Sequence, residues 1–297
     1  MAGVFPVRPF RLNEEKNMEQ PFLDRHGPEW RKWLLNNLER GCAQDDLLGL
    51  MTARVWVEAD ALRAIDECLT LVGKDVNWRI SLPTIPDSTV VDLHDRRVTV
   101  LGRLQQPRAA LLDGLLSIEE CDGLIAYAKN KAVQRSGVID RDSGTNVEHP
   151  ARTSSTVFLR RDETDLITRI ENRLCELSQW PKTHGEGLQI LFYDVGQEYK
   201  AHFDWFDPKK PSAQSQLKRG GQRVATTIIY LANAESGGGT YLPEAKVRLQ
   251  PRPGGAVFFN NLTVAGRPDR QSLHCGEPVI KGLKVIATYW QREGEFK

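Results

Sequence analysis

No Cys-x-x-Cys pair occurs in the 297 residues, and the five cysteines (Cys42, Cys68, Cys121, Cys175, Cys275) are odd in number and far apart. This spacing argues against a thiolate zinc site and a disulfide framework, so free thiols in a reducing compartment are expected. No apolar run approaches the roughly 18 residues that a bilayer span requires, and no membrane partner is expected. The opening MAGVFPVRPFRLNEEKN has no apolar stretch of the kind a secretory signal carries, so a cytoplasmic location is the expectation. An excess of one charge sign is also missing: 40 Lys and Arg oppose 39 Asp and Glu, a formal net of +1. Without a basic surplus to neutralise phosphates, a nucleic-acid partner is not expected.

What remains is the composition of a globular protein, 40% hydrophobic and 27% charged. The first hundred residues read as a small helical module and linker. PEWRKWLLNNLERG begins with Pro28 and ends at Gly41, and Trp30, Trp33, Leu34 and Leu38 recur at helical spacing. DDLLGLMTARV and EADALRAIDECLTLVG predict two further helices. The tryptophans are read as packing, and the module as a contact for a homodimer or another partner. SLPTIPDSTVVDLHDRRVTVLGR is read as a linker into a first strand.

Residues 101–297 form the second expected domain. Ser117-Ile118-Glu119-Glu120 has capping-box spacing ahead of a helix, and DETDLITRIENRLCELSQW is a second helix closed by Pro181. VQRSGVIDRDSGTNVEHP, between them, is polar and rich in turn-formers. After Gly187 the texture changes. LQILFYDV, RVATTIIYLA, VRLQP, GAVFFNN, QSLHCG and KVIATYWQRE are short β-rich runs separated by glycine, proline and polar turns. Helices first and closely spaced strands after predict an α+β fold: a double-stranded β-helix (jelly roll) buttressed by helices.

The chemistry starts at Tyr199-Lys200-Ala201-His202-Phe203-Asp204. In an extended strand alternate side chains share a face, so His202 and Asp204 point into one cavity. An imidazole and a carboxylate supply two-thirds of the 2-His-1-carboxylate set that binds Fe(II) with open positions. His274, in another β-rich segment, is the candidate third ligand; His26, His94, His149 and His184 are the other histidines. Lys284, ten residues further on, is placed to hold the distal carboxylate of a small diacid, whereas Lys281 sits beside the Gly282 turn and reads as solvated.

Residues from about 108 to 293 resemble the catalytic domain of the prolyl 4-hydroxylases, within the iron(II)/2-oxoglutarate dioxygenases. The carrying motifs are RTSSTVFL (152–159), GEGLQILFYDVGQEYKAHFDWF (185–206), GGQRVATTIIYL (220–231), GGGTYLP (237–243) and SLHCGEPVIKGLKVIATYW (272–290). The resemblance implies that His202, Asp204 and His274 are the iron ligands and the catalytic centre. It implies that Lys284 binds the far carboxylate of 2-oxoglutarate, with Thr240 and Tyr193 as its hydrogen-bonding helpers. Arg152, Ser154, Glu186, Tyr199, Arg223 and Trp290 match positions on the substrate side, although Glu186 and Arg223 also suit a buried ion pair, and Tyr199 and Trp290 barrel-mouth packing. Dioxygen is the second substrate, and ascorbate is a further expectation of the family.

Two departures stand out. DPKKPSAQSQLKRGG, after Trp205-Phe206, is longer and more basic than the family pattern, and is read as a polar loop that could serve as a lid. The first hundred residues do not match the peptide-binding domain of the animal collagen enzymes. With Asp204 filling the carboxylate position, hydroxylation is expected rather than halogenation. The expected substrate is a proline-like residue in a peptide; the alternatives are a free amino acid or small biosynthetic intermediate, and a non-catalytic 2-oxoglutarate-binding protein.

Overall fold

The computed structural model describes residues 27–54, 56–131 and 153–297, with the backbone of three short strands between 134 and 148. The polar stretch 133–150 lies outside the described residues apart from those strands, as do His26, His149 and Arg152. The chain divides into two compact units, residues 1–78 and 79–297.

The first unit contains helices α1 (Pro28–Glu39), α2 (Gln44–Thr52) and α3 (Glu58–Leu71). Leu34 and Leu38 of α1, Leu47 and Met51 of α2, and Ile65 and Leu69 of α3 are fully or almost fully buried. The Trp30 ring meets Trp33 and Trp56 edge-on, with centroids 5.5 Å apart in each case. These indoles therefore serve as packing.

The second unit begins earlier than the expected boundary at residue 100. The presumed linker supplies β1 (Val90–Asp92) and β2 (Arg97–Leu104), which pair with each other, and β2 pairs on with β3 (Ala109–Asp113). Short β-branched runs disguised this hairpin as a linker, because its edge strand leaves only Val91 buried. Helix α4 (Ile118–Asn130) follows, and its Ser117–Glu120 capping box is formed in both directions. Next come β4 (Gln134–Arg135), β5 (Gly137–Ile139), β6 (Asn146–Glu148), β7 (Ser155–Leu159) and helix α5 (Asp165–Ser178).

The remaining strands are β8 (Gly185–Tyr193), β9 (Tyr199–His202), β10 (Arg223–Ala232), β11 (Ser236–Gly237), β12 (Thr240–Leu242), β13 (Val247–Leu249), β14 (Ala256–Asn260), β15 (His274–Gly276), β16 (Val279–Lys281) and β17 (Lys284–Arg292). A nine-stranded sheet runs β1-β2-β3-β14-β10-β17-β8-β7-β4, and a four-stranded sheet runs β13-β12-β15-β9. Every described pairing is antiparallel, which with the segregated helices makes the fold α+β.

Parity along the central strands sorts side chains into two cores. Leu188 and Ile190 of β8, Ala225 and Ile229 of β10, and Val285 and Ala287 of β17 pack in one core with Leu124 of α4 and Ile167, Ile170 and Leu174 of α5. The intervening residues Leu191, Tyr193, Ile228, Tyr230 and Ile286 form the second core with Val257 and Phe259. Lys284 and Thr226 share the parity of this second set. Strands buried on both faces explain why these runs read as nearly continuous apolar stretches.

Arg173, on α5, is buried and donates to both Glu120 carboxylate oxygens at 2.8 and 2.9 Å, to both Asp95 oxygens at 3.0 and 2.7 Å, and to the Leu115 carbonyl. Burial alone would raise the Glu120 carboxyl, but the Arg173 bonds and the Ser117 amide outweigh it and hold Glu120 at about 2. The stability that follows is complete above the usual 4.5 and is lost as pH falls toward 2. Arg173→Met is expected to cost about 3–5 kcal/mol, read from the urea midpoint, because it removes the buried cation shared by Asp95 and Glu120, leaving Glu120 only Arg169, Arg96 and the Ser117 amide. A change under about 1 kcal/mol would show the cluster to be energetically neutral.

Candidate active site

Between the two sheets lies a cavity of about 400 Å³, open mouth included. Its large-sheet wall includes Tyr193, Ile228, Ile286 and Trp290, and its small-sheet wall includes Tyr199 and Thr240. His202 ends β9 and His274 begins β15, and the two are direct cross-strand partners. Their rings lie 4.2 Å apart, centroid to centroid. The 72-residue separation in sequence thus collapses into a single rung of the small sheet.

Asp204 arrives differently from expectation. β9 stops at His202, so Asp204 sits in a bend rather than in an extended strand. It still reaches the cavity: its carboxylate oxygens lie 3.6 Å from His202 Nε2 and 3.7 Å from His274 Nε2. One ligand atom from each of the three residues falls within 4.8 Å of the others. Two neutral imidazole nitrogens and one carboxylate oxygen at this spacing suit a divalent transition metal with free coordination positions.

The imidazoles are oriented by the backbone. His202 Nδ1 lies 2.8 Å from the Lys200 carbonyl, and His274 Nδ1 lies 3.0 Å from the Ser272 carbonyl. A carbonyl only accepts, so each Nδ1 carries the proton and each Nε2 lone pair faces the cavity. Tyr199 stacks on His202 with ring centroids 3.5 Å apart, which restrains the ring further.

Asp204 is almost fully buried. Burial opposes its charge, but attraction to His274 and His202 in their protonated, metal-free form, and to the Arg223 guanidinium, outweighs that and holds the carboxyl at about 2. Thr226 Oγ1 donates to Asp204 Oδ2 at 2.8 Å, and Asn261 Nδ2 donates to Thr226 Oγ1 at 2.9 Å. Neither residue stood out in the sequence. The available signal was Thr226-Thr227 inside an otherwise apolar strand, with Thr226 on the cavity face by parity. Such outer partners typically tune metal affinity about 10- to 100-fold. Thr226→Val is therefore expected to weaken Fe(II) or Co(II) binding by about that factor in a titration, with Thr226→Ser close to wild type. Equal affinity in the Val variant would remove the role.

Lys284, the first residue of β17, is 2% exposed and lies opposite Tyr193 in the β8 register. Its ammonium sits 5.1 Å from the Tyr193 ring centroid and 5.3 Å from that of Tyr230. No carboxylate pairs with it within 4 Å among the described residues. Burial pulls its pKa down to about 8, against weaker support from Glu277 and Cys275. A buried cation without a counter-ion is costly, and it is stabilised by an incoming anion. Thr240 is buried beside it, with its hydroxyl 2.6 Å from the Tyr230 hydroxyl, so Tyr230 belongs to the same polar end and was missed in the sequence. The glycine run before Thr240 has a steric reason. Gly237 (φ +75°) would bring a Cβ to 2.3 Å from the Pro278 carbonyl, and Gly238 (φ +74°) would bring one to 3.2 Å from Lys284 Cδ. Lys281, by contrast, is exposed and pairs with Glu235 at 2.5 Å.

Glu186 and Arg223 form a bidentate ion pair at 2.6 and 2.7 Å. The Arg223 guanidinium lies over the Trp290 ring at 3.8 Å, and Trp290 lines the cavity. The pair therefore reaches the cavity through Trp290. Ser154 is completely buried and is not among the cavity-lining residues.

Residues 188–292 match the 2OG-Fe(II) oxygenase superfamily. Probable prolyl 4-hydroxylase 7 of Arabidopsis thaliana is 39% identical over 65% of this chain and 65% of its own length. Probable prolyl 4-hydroxylase 6 of the same plant is 40% identical over 62% of this chain and 68% of its own. The chain thus spans about two thirds of the length of these relatives. A solved structure, the viral collagen prolyl hydroxylase of Paramecium Bursaria Chlorella virus-1, is 29% identical over 61% of this chain and 94% of that one, with a TM-score of 0.48. With a His-Asp-His set and the buried Lys284 lining one cavity, the chain belongs to the prolyl 4-hydroxylase-like family of 2OG-Fe(II) oxygenases.

Proposed function

We propose that the protein hydroxylates an unactivated ring C–H of a prolyl residue within a peptide or protein. The observation that carries the reaction class is the pairing of His202, Asp204 and His274 in one cavity with the buried Lys284, which has no carboxylate partner among the described residues. The prolyl substrate is supported by the prolyl 4-hydroxylase relatives. The two facing walls of the cavity support reading the sheets as a double-stranded β-helix.

His202, Asp204 and His274 would hold Fe(II), and Lys284, Thr240 and Tyr193 would hold the distal end of 2-oxoglutarate. When bound, these groups supply the oxidising chemistry: dioxygen and 2-oxoglutarate are consumed, succinate and carbon dioxide leave, and one oxygen atom enters the substrate C–H. The protein positions the reactants and excludes water. Lys284 would neutralise the far carboxylate of the diacid from a buried position. The Nδ1–carbonyl bonds keep both Nε2 atoms aimed inward, and Thr226 occupies one Asp204 oxygen. Trp290, with the Glu186–Arg223 pair behind it, and Tyr199 would form the wall that the prolyl ring meets. Arg152 and Ser154 are carried only by the family resemblance.

The test is succinate formation on proline-containing peptides and on free imino and amino acids. Turnover of peptides, with hydroxyproline found by mass spectrometry, is expected. Turnover confined to free amino acids would replace the peptide by a small-molecule substrate.

A further inference from the structure

The segment from Asp207 to Gly221 carries four cations, Lys209, Lys210, Lys218 and Arg219, against one carboxylate, Asp207, in a chain with a net charge of +1. All four cations are exposed. The Asp207 carboxylate is engaged by the Lys209 amide at 3.1 Å. Lys209, Lys210 and Lys218 form no ion pair among the described residues. Near the far end, Glu293 accepts from the Gln222 amide and Glu295 pairs with Lys297, while Arg219 lies over Phe296. At the Lys209–Lys210 end the acidic neighbour is Asp207, whose carboxylate accepts from the Lys209 amide and forms no ion pair with either ammonium among the described residues.

The sequence suggested a turn-rich loop here, but the structure holds the segment as a built feature. Pro211–Leu217 is a short helix, α6, started by Pro211 and seated by the buried Ser212 and Ala213. The feet of the excursion are clasped: the Phe206 amide donates to Gln222 Oε1 at 2.7 Å, and Gln222 Nε2 donates to the Phe206 carbonyl at 2.6 Å. Arg292 donates to the Gly221 and Gln216 carbonyls at 2.5 and 3.3 Å. Both feet also lead to the metal carboxylate, one by chain continuity from Asp204 and the other through Thr226, which is bonded to it. Cations on a clasped segment are presented from a defined place, where those of a loose loop would sample many.

Reach sets the geometry of a partner. Lys209 follows Asp204 by five residues, so their Cα atoms are separated by at most about 18 Å. An extended peptide covers that distance in about five residues.

We propose that this ledge docks acidic residues of the peptide substrate, within about six positions of the prolyl residue in the cavity. The inference rests on the peptide-hydroxylase reading above. Charge complementarity selects this partner, since lysines that form no ion pair among the described residues, on a segment that leaves the site at Asp204, favour carboxylates and steer their approach.

The experiment compares synthetic peptides with one proline-containing core, carrying Asp and Glu or Ser and Ala four to six positions away on either side. Hydroxylation is measured for the wild type, for Lys209→Gln/Lys210→Gln and for Lys209→Glu/Lys210→Glu. The wild type is expected to show a KM about five- to tenfold lower for an acidic peptide, as two or three exposed pairs would supply. The glutamine variant loses that preference and the glutamate variant reverses it, with kcat and the neutral-peptide KM unchanged. Raising salt from about 0.05 to about 0.5 M erases the wild-type preference by screening. Equal KM values for acidic and neutral peptides in the wild type, or a preference surviving in both variants, overturns the ledge alone. Hydroxylation of free imino acids with no turnover of either peptide overturns the underlying substrate reading, and the ledge proposal with it.

Discussion

His202→Ala abolishes iron-dependent succinate formation and leaves the protein folded: this is the largest effect the site predicts. His202 would supply one of three donors, and its ring, at the end of β9, stacks on Tyr199, tilts against His274 and lies within 2.8 Å of the Lys200 carbonyl through Nδ1. Removing it leaves one imidazole and one carboxylate, a set expected to hold a divalent ion far more weakly. Thermal unfolding should shift by only a few degrees, while metal binding is lost. His202→Gln keeps a neutral polar side chain but places its donor differently, and it should fail as well. A His202→Ala protein that still turned over 2-oxoglutarate with iron would place the metal elsewhere.

The second effect concerns Lys284. Lys284→Met is expected to raise the KM for 2-oxoglutarate about 10- to 100-fold, the size of one lost charge-assisted contact in a buried site. The same substitution should not destabilise the ligand-free protein, because it replaces a buried ammonium that has no carboxylate within 4 Å among the described residues with an apolar chain of similar length. A structural lysine would behave in the opposite way, losing stability with no change in the 2-oxoglutarate requirement. Titration adds a signature. Folding lowers the Lys284 pKa from 10.5 to about 8, so its buried charge is a cost to stability below pH 8 that is relieved as pH rises from 8 toward 10.5. Binding has the opposite dependence, since the anchor must be charged. The kcat/KM for 2-oxoglutarate should therefore fall above pH 8 in the wild type and stay flat there in Lys284→Met. Lys281→Ala should change neither property, because Lys281 faces solvent against Glu235.

Legibility in the sequence followed the physics of each element. Helices with ordinary stop and start signals were readable: Pro28 and Gly41 bracket α1, and the Ser117–Glu120 box opens α4. The strands after Gly187 were readable because turn-formers punctuate them. The hairpin of β1 and β2 was not, since a half-exposed edge strand has too few buried positions to set a period. The helix inside Asp207–Gly221 was hidden by lysines, proline and glycines, which dominate the count but sit at its ends.

At the site, residue chemistry pointed to three side chains that converge in the structure and to a lysine that lines the same cavity, while backbone detail escaped. The His-x-Asp spacing suggested a shared strand face, yet Asp204 turns inward from a bend. What secures it is Thr226, whose role depends on a neighbouring strand that no local pattern reveals. Likewise, nothing near Lys284 in the sequence pointed to Tyr230, which joins it through the sheet.

One measurement bears most directly on the whole account: anaerobic titration of the metal-free protein with Fe(II), followed by 2-oxoglutarate, monitored by calorimetry. One ferrous ion per chain should bind, and the keto acid should bind tightly only afterwards, with the first event missing in His202→Ala and the second weakened in Lys284→Met. Iron uptake undiminished by the loss of His202, or keto-acid binding indifferent to both iron and Lys284, would contradict it.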